Sequence, residues 1–217
     1  MSITATEYDH EIFVFDFDGT ITTQDTFALF LKYHAGTARW VLNIACLLPT
    51  FVNYKLGRID RHSVKAAVVR QFFKDESAAN VEARATQFAK DVIPDLIRPA
   101  AQERLDELLR DPKCGPESLY ICSASIGPYL RVWASSCGIQ TNHVMAAELA
   151  INKDRITGEL QGYNVWGQNK VRRILDQFAP HSVKIVEAYG DTRGDREMLH
   201  AAQASFFQPF RVKPISN

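Results

Sequence analysis

Ile12-Phe13-Val14-Phe15-Asp16-Phe17-Asp18-Gly19-Thr20 is the stretch on which the fold turns. Four consecutive apolar residues, with no alternation, predict a strand buried on both faces, as in a parallel sheet covered by helices on either side. The run stops abruptly at two carboxylates and a glycine. The same pattern returns further on, where Leu119-Tyr120-Ile121-Cys122 ends in Ser123. It returns again where Lys184-Ile185-Val186-Glu187-Ala188-Tyr189 ends in Gly190-Asp191, with Glu187 as the one break. A short last strand is expected at 204–208.

Helical periodicity lies between these strands. Tyr129, Leu130, Trp133, Ala134 and Cys137 recur at three and four residues, with Gly138 as the stop. Val171, Ile174, Leu175 and Phe178 do the same before Pro180, and residues 146–161 read as a hairpin turning at Asn152-Lys153-Asp154. Alternating strands and helices predict an α/β fold, a doubly wound parallel sheet.

Residues 23–95 read as helical throughout. A first helix opens near Asp25 and carries Phe27, Phe30, Leu31 and His34 on one face; Gly57 ends a second; Asp60 and Ser77 cap two more. Pro94 is expected in the first turn of the helix that runs through Leu105 and Leu108. The expected organisation is an α/β core of residues 1–22 and 97–217 with an all-helical cap, 23–96, inserted after the first strand.

A chain of 217 residues exceeds the ~100–200 typical of one domain, which suits a core with an insertion. Lys plus Arg and Asp plus Glu are equal at 25 each, so no general attraction draws the protein to nucleic acid. Cys46, Cys114, Cys122 and Cys137 form no CxxC pair, which disfavours a structural zinc and a disulfide framework and points to a cytoplasmic protein. The N-terminus has no basic region followed by an apolar one, so no signal peptide is expected. From Trp40 to Tyr54 the chain is uncharged but interrupted by Asn43, Pro49 and Asn53, and is shorter than the ~20 apolar residues of a membrane span. A buried helix is the first reading of that stretch; contact with a membrane or a lipid substrate through the cap is the second.

The chemistry is carried by the position of the acids. Asp16 and Asp18 follow one strand, and Asp191 follows another with Asp195 four residues on. Ligands of open α/β sheets bind beyond the carboxyl ends of the strands, where these distant residues converge. Packed carboxylates call for a cation, and Mg²⁺ prefers such hard oxygen ligands. An ionised carboxylate can attack phosphorus directly. A second one beside it, its pKa raised by low dielectric, can act as acid and then base. Gly19 permits close approach of the backbone to phosphate, with Thr20 next to it. Ser123 and the amides from Ala124 onward can bind phosphoryl oxygens, and Lys170 can balance the charge.

Asp-Phe-Asp-Gly-Thr at 16–20, Ser123 after an apolar strand, Lys170, and Gly-Asp-Thr-Arg-Gly-Asp at 190–195 resemble, in order, the four motifs of the haloacid dehalogenase superfamily. The helical insert resembles the cap of its phosphoserine-phosphatase-like branch, subfamily IB. The resemblance implies Asp16 as nucleophile and Asp18 as general acid and base. It implies Mg²⁺ on Asp16, the Asp18 carbonyl and Asp191, with Asp195 in support, and phosphate on Ser123 and Lys170. Phosphoserine phosphatases of this kind usually carry Glu where Asp25 falls, an Arg in the cap (Arg58, Arg61 and Arg70 are the candidates here) and Gly-Gly where Ala124-Ser125 stands. The expected substrate is therefore a small phosphomonoester. The alternatives are a lipid of the phosphatidylglycerophosphate type, transfer of the phosphoryl group to another acceptor, and a catalytically silent binding or membrane-associated protein. Asp18 argues against a dehalogenase, which generally lacks it. Oligomeric state is not legible.

Overall fold

The computed structural model describes residues 8–112 and 114–211. The first apolar run forms β1 (His10–Phe15), and a tight turn over Phe17–Ile21 follows it. Four helices come next: α1 (Thr26–Ala35), α2 (Thr37–Lys55), α3 (Arg61–Phe73) and α4 (Ala78–Asp91). The chain then returns through a 3₁₀ turn at Pro94–Leu96 to α5 (Pro99–Arg110), the short α6 (Gly115–Ser118), β2 (Leu119–Ile126) and α7 (Gly127–Ser136). The hairpin β3 (Val144–Asn152) and β4 (Arg155–Gln161), α8 (Gln168–Phe178), β5 (Val183–Gly190), α9 (Arg196–Ala201) and β6 (Ala204–Phe207) complete it.

The six strands lie in the order β4-β3-β2-β1-β5-β6, parallel except for β4 against β3. Both faces of β1 are covered, as its unbroken apolar run predicts. Phe13 and Phe15 pack with Leu105, Leu130 and Trp133 of α5 and α7, and Ile12 and Val14 pack with Ile174, Met198 and Leu199 of α8 and α9. Strand order reverses at β1, which has β2 on one side and β5 on the other, so the switch point of the sheet lies beyond Phe15 and Gly190.

Side-chain caps start α1, α3 and α4. The Asp25 carboxylate accepts from Ala28 N (2.9 Å), Asp60 from Ser63 N (2.8 Å) and Ser77 Oγ from Asn80 N (3.4 Å), each satisfying an orphan amide of the first turn. The hairpin turns at Lys153 and Asp154, both with positive φ. Three expectations need correction. The uncharged stretch from Trp40 to Tyr54, read first as a buried helix, buries only Asn43 and Leu47 and leaves Val41, Leu42, Leu48 and Val52 exposed. Pro94 starts only the 3₁₀ turn, and Pro99 opens the helix through Leu105, because Ile97 and Arg98 are extended. Ile97 bridges Thr22, and Thr23 N donates to Leu96 O while Arg98 N donates to Ile21 O (both 2.8 Å), so the chain leaves and re-enters the sheet layer side by side. Ser123 does not end its strand, since β2 continues to Ile126 with a register irregularity against β3.

The helical insert is also tied to the hairpin. Asp75 N donates to Ile156 O, Ile156 N to Glu76 O and Ala78 N to Asp154 O (each 2.9 Å). Among the described residues no single helix is long and apolar enough to cross a membrane; α1 and α2 pass that test only together, with a bend of 120° between them.

Candidate active site

Asp16 leaves β1 at the switch point. Its backbone N–H donates to Tyr189 O (2.9 Å) on β5, which fixes the root of the side chain. Lys170, in the first turn of α8, is only 1% exposed, and its ammonium reaches Asp16 Oδ1 (2.5 Å), Cys122 O (2.6 Å) and Asp195 Oδ1 (2.7 Å). One oxygen from each of Asp16, Asp191 and Asp195 falls within a cluster of 4.8 Å. Thr20 Oγ1 lies between two of them, 3.0 Å from Asp16 Oδ2 and 3.5 Å from Asp191 Oδ1. Arg211 Nη2 lies 2.7 Å from Asp191 Oδ2.

Two glycines make this convergence possible. Gly19 has φ +77, and a Cβ there would collide with the Asp191 carboxylate. A Cβ on Gly190 would in turn press on Asp195. Asp195 is a buried strut, its Oδ2 accepting from Asp191 N (3.2 Å), Thr192 N (2.9 Å) and Thr192 Oγ1 (3.0 Å).

The Asp18 carboxylate turns away from this cluster, towards the insert. Its Oδ1 accepts from Thr26 N (2.6 Å) and Thr26 Oγ1 (2.5 Å), and its Oδ2 from the Ser125 hydroxyl and, at 3.4 Å, from Ser123 Oγ. The two neighbouring aspartates therefore occupy different environments. Burial raises the pKa of both. For Asp16 it carries the value up to about 7, with Lys170 pulling the other way. For Asp18 the charge of Asp25 adds to burial, while Ser125 and Thr26 oppose it. Burial works against the charge of Lys170, but Asp16 and Asp195 outweigh it and hold the ammonium protonated. Burial also works against Asp195, yet Lys170 and Thr192 keep its pKa below the usual carboxylate value.

A cavity of about 680 Å³ opens over these groups. Its floor is Asp16, Asp18, Gly19, Lys170, Asp191 and Asp195; Ala124, Ser125, Asn164 and Trp166 form its flank. The helical insert supplies the roof. Phe27, Ile44, Phe51 and Tyr54 give it an apolar side, and Arg61 and Lys65 a basic one. Lys65 Nζ donates to the Ala124 carbonyl and lies 4.4 Å from the centre of the Phe27 ring; burial lowers its pKa to about 8, against the pull of Asp18 and Asp25.

Asp16, Asp18, Gly19, Thr20, Lys170, Asp191 and Asp195 are thus brought together. Ser123 is fully buried beneath the cavity surface, and its neighbours Ala124 and Ser125 line the cavity instead. Asp25 borders the cavity while its carboxylate caps α1. Of the three arginines expected as substrate contacts, Arg61 reaches the cavity, whereas Arg58 donates to Asn53 Oδ1 (3.4 Å) and Arg70 pairs with Glu159 (3.5 Å). Sequence reasoning missed Ser125, Thr26, Lys65 and Arg211. Ser125 was accessible through the period of two that puts it on the face of Ser123, and Lys65 through its spacing of four from Arg61. Nothing local marks Arg211.

The donor set fits a divalent cation. Among the described residues, three clustered carboxylates face two basic side chains, Lys170 and Arg211, and their hard oxygens suit Mg²⁺. Fold and site together define a class: an α/β core whose acidic cluster, at the switch point of the sheet, sits under a helical insert.

The haloacid dehalogenase-like hydrolase model matches residues 13–200, and the chain belongs to that family. It is 37% identical over 211 residues to protein CicA of Caulobacter vibrioides, a match covering 96% of this chain and 91% of that one. A protein of unknown function from Bordetella pertussis Tohama I has a similar structure (TM-score 0.75, 18% identity, 90% of this chain and 88% of that one). So does a phosphoserine phosphatase solved as an analogue of its phospho-aspartyl intermediate (TM-score 0.54, 18% identity, 92% and 86%). At these identities the two structures bear on the fold.

Proposed function

We propose that the protein is a Mg²⁺-dependent phosphomonoester hydrolase that works through a phospho-Asp16 intermediate. The observation that carries this reading is the division of labour between the two neighbouring aspartates. Asp16 faces Lys170 and the other carboxylates, while Asp18 faces hydroxyls at the foot of the insert.

In the first step an Asp16 oxygen bonds to phosphorus as the ester P–O bond breaks, and Asp18 gives its proton to the departing oxygen. In the second, water attacks the phosphorus of phospho-Asp16 and gives a proton to Asp18, which restores the Asp16 carboxylate and frees inorganic phosphate. Lys170 balances charge on Asp16 through both steps, and Asp195 keeps the ammonium in position. Mg²⁺, held by Asp16 and Asp191 with Asp195 behind, would supply charge neutralisation for the phosphoryl oxygens. The insert, 23–96 in this reading, acts as a cap that excludes bulk water and selects the substrate. Its α3–α4 link is bound to the hairpin.

A small phosphorylated metabolite is the first substrate class, in keeping with the likeness to a phosphoserine phosphatase. The apolar side of the cavity, with Phe27, Ile44, Phe51 and Tyr54, favours a second reading, a phosphomonoester carried on a lipid of the phosphatidylglycerophosphate type. The test is phosphate release from phosphoserine, sugar phosphates, nucleotides, an aryl phosphate and detergent-dispersed phosphatidylglycerophosphate, with and without Mg²⁺. Release that needs Mg²⁺ and vanishes in Asp16→Asn is expected. Release that survives in that variant would overturn the assignment.

A further inference from the structure

Helix α2 has two apolar faces, and only one is covered. Asn43 and Leu47 are buried, with Gln71 Nε2 of α3 donating to Asn43 Oδ1 (3.0 Å), and Ile44 and Phe51 reach the cavity. The outer face carries Val41, Leu42, Ala45, Leu48 and Val52, and Leu56 extends it just past the last turn. Of the eleven large hydrophobic side chains exposed among the described residues, six lie between Val41 and Leu56. Leu42 is 66% exposed, and Leu48 and Val52 are 55%. Residues 41, 45, 48, 52 and 56 fall on one helical stripe, so these side chains form a continuous strip and not scattered single exposures.

Charge around the strip is one-sided. Residues 26–59 contain no Asp or Glu, but hold Lys32, Arg39, Lys55 and Arg58. Arg39 pairs with Glu76 (2.6 Å), whereas Lys32, Lys55 and Arg58 have no acidic partner among the described residues. A second copy docked on this face would bring basic groups against basic groups, with no carboxylate on α2 to receive them. An amphipathic helix with an exposed apolar strip and basic flanks fits an anionic lipid surface, into which such a helix sinks its apolar face while lying in the plane. The packing of Asn43 and Leu47 on the protein keeps α2 lying along the body, as that mode requires.

We infer that the outer face of α2 is a docking surface for anionic bilayers, with Val41, Leu42, Leu48, Val52 and Leu56 entering the lipid and Lys55 and Arg58 contacting its phosphates. The opposite face of the same helix lines the cavity, so docking sets the cavity beside the lipid headgroups. The surface itself does not depend on the phosphatase reading.

The test is co-sedimentation of the purified full-length chain with vesicles of phosphatidylcholine mixed with phosphatidylglycerol, and with vesicles of phosphatidylcholine alone. Binding to the mixed vesicles is expected, weakening as salt rises. The double variant Leu42→Glu/Leu48→Glu is expected to bind roughly tenfold or more weakly, since each change forfeits burial of a leucine. Its turnover of a soluble aryl phosphate and its unfolding temperature should stay as in the unaltered chain. Lys55→Glu/Arg58→Glu should remove the preference for anionic lipid. Failure of the unaltered chain to sediment with either vesicle, or equal binding by the leucine variant, would overturn the inference. So would a dimer in analytical ultracentrifugation that the leucine variant dissolves, because the face would then belong to a second copy. A chain that binds vesicles but releases no phosphate would refute the enzymatic reading and leave the docking surface standing.

Discussion

Replacing Lys170 with Met tests whether the site is held together by charge. The substitution keeps the length of the stem and removes the ammonium, which touches Asp16 Oδ1, Asp195 Oδ1 and Cys122 O within 2.7 Å in a position 1% exposed. Breaking a buried ion pair by deleting one partner typically costs about 3–5 kcal/mol, because the remaining charge is neither solvated nor paired. Here two carboxylates lose the same cation. Their escape is protonation, and holding one ordinary carboxyl protonated at pH 7, about three units above its usual value, costs ~4 kcal/mol. The two routes agree, so a loss of about 4 kcal/mol at pH 7 is expected from urea unfolding in EDTA.

The sign of the pH dependence follows from the same groups. In the variant Asp16 and Asp195 lack their cation, so the pKa of Asp16, already raised by burial in the unaltered chain, goes higher still, and that of Asp195 rises with it. Such groups favour folding at low pH, and that advantage is lost as pH rises through the folded pKa. In the unaltered chain Asp195 has a lowered pKa and contributes stability that is lost on going to acid. The first effect shrinks the gap at pH 5 relative to pH 7, while the Asp195 contribution, lost only below the ordinary carboxylate value of 3.8, is still in place at both. A deficit under about 1 kcal/mol at pH 7, or one equal at both pH values, would refute the claim that Lys170 is the electrostatic keystone.

Gly19→Ala forces a left-handed residue to carry a Cβ and pushes on Asp191; a loss of about 1–2 kcal/mol from the backbone alone, with phosphatase activity reduced by more than tenfold, is expected from unfolding and rate assays. Lys65 has a pKa lowered to about 8 by burial, so its charge is present below that pH and lost above it. For a substrate bearing a second anionic group, kcat/KM should fall as pH rises through about 8, and Lys65→Arg should move that fall to higher pH; identical profiles would exclude Lys65 from binding. Asp25→Ala should cost about 1 kcal/mol through loss of the α1 cap, while turnover of an aryl phosphate continues. An unchanged stability with a large rise in KM would instead assign Asp25 to the substrate.

The sheet was legible because its strands are continuous apolar runs that end in chemistry-bearing residues, and because Asp25, Asp60 and Ser77 announce helix starts by local hydrogen bonding. The boundary near Pro94 was misread for a physical reason. Both Pro94 and Pro99 suit a first turn, and the pairing of Ile97 with Thr22, which extends the backbone between them, is a contact across the fold. Ser123 could be expected near Asp16 and Asp18, but the continuation of β2 to Ile126, which buries it and brings Ser125 onto Asp18, depends on pairing with β3. The cluster of Asp16, Asp191 and Asp195 follows from strand ends meeting at one edge of a parallel sheet. Lys65 and Arg211 enter the site from remote segments, and their positions depend on packing that a linear reading does not contain.

The most direct test of the central claim is rapid quenching of the enzyme during turnover in Mg²⁺, followed by mass spectrometry of its peptides. The expected result is a single acid-stable, base-labile phosphoryl group on Asp16, absent from Asp16→Asn. Phosphate release in the same experiment with no label on the protein, or with the label on another residue, would contradict the phospho-aspartate mechanism.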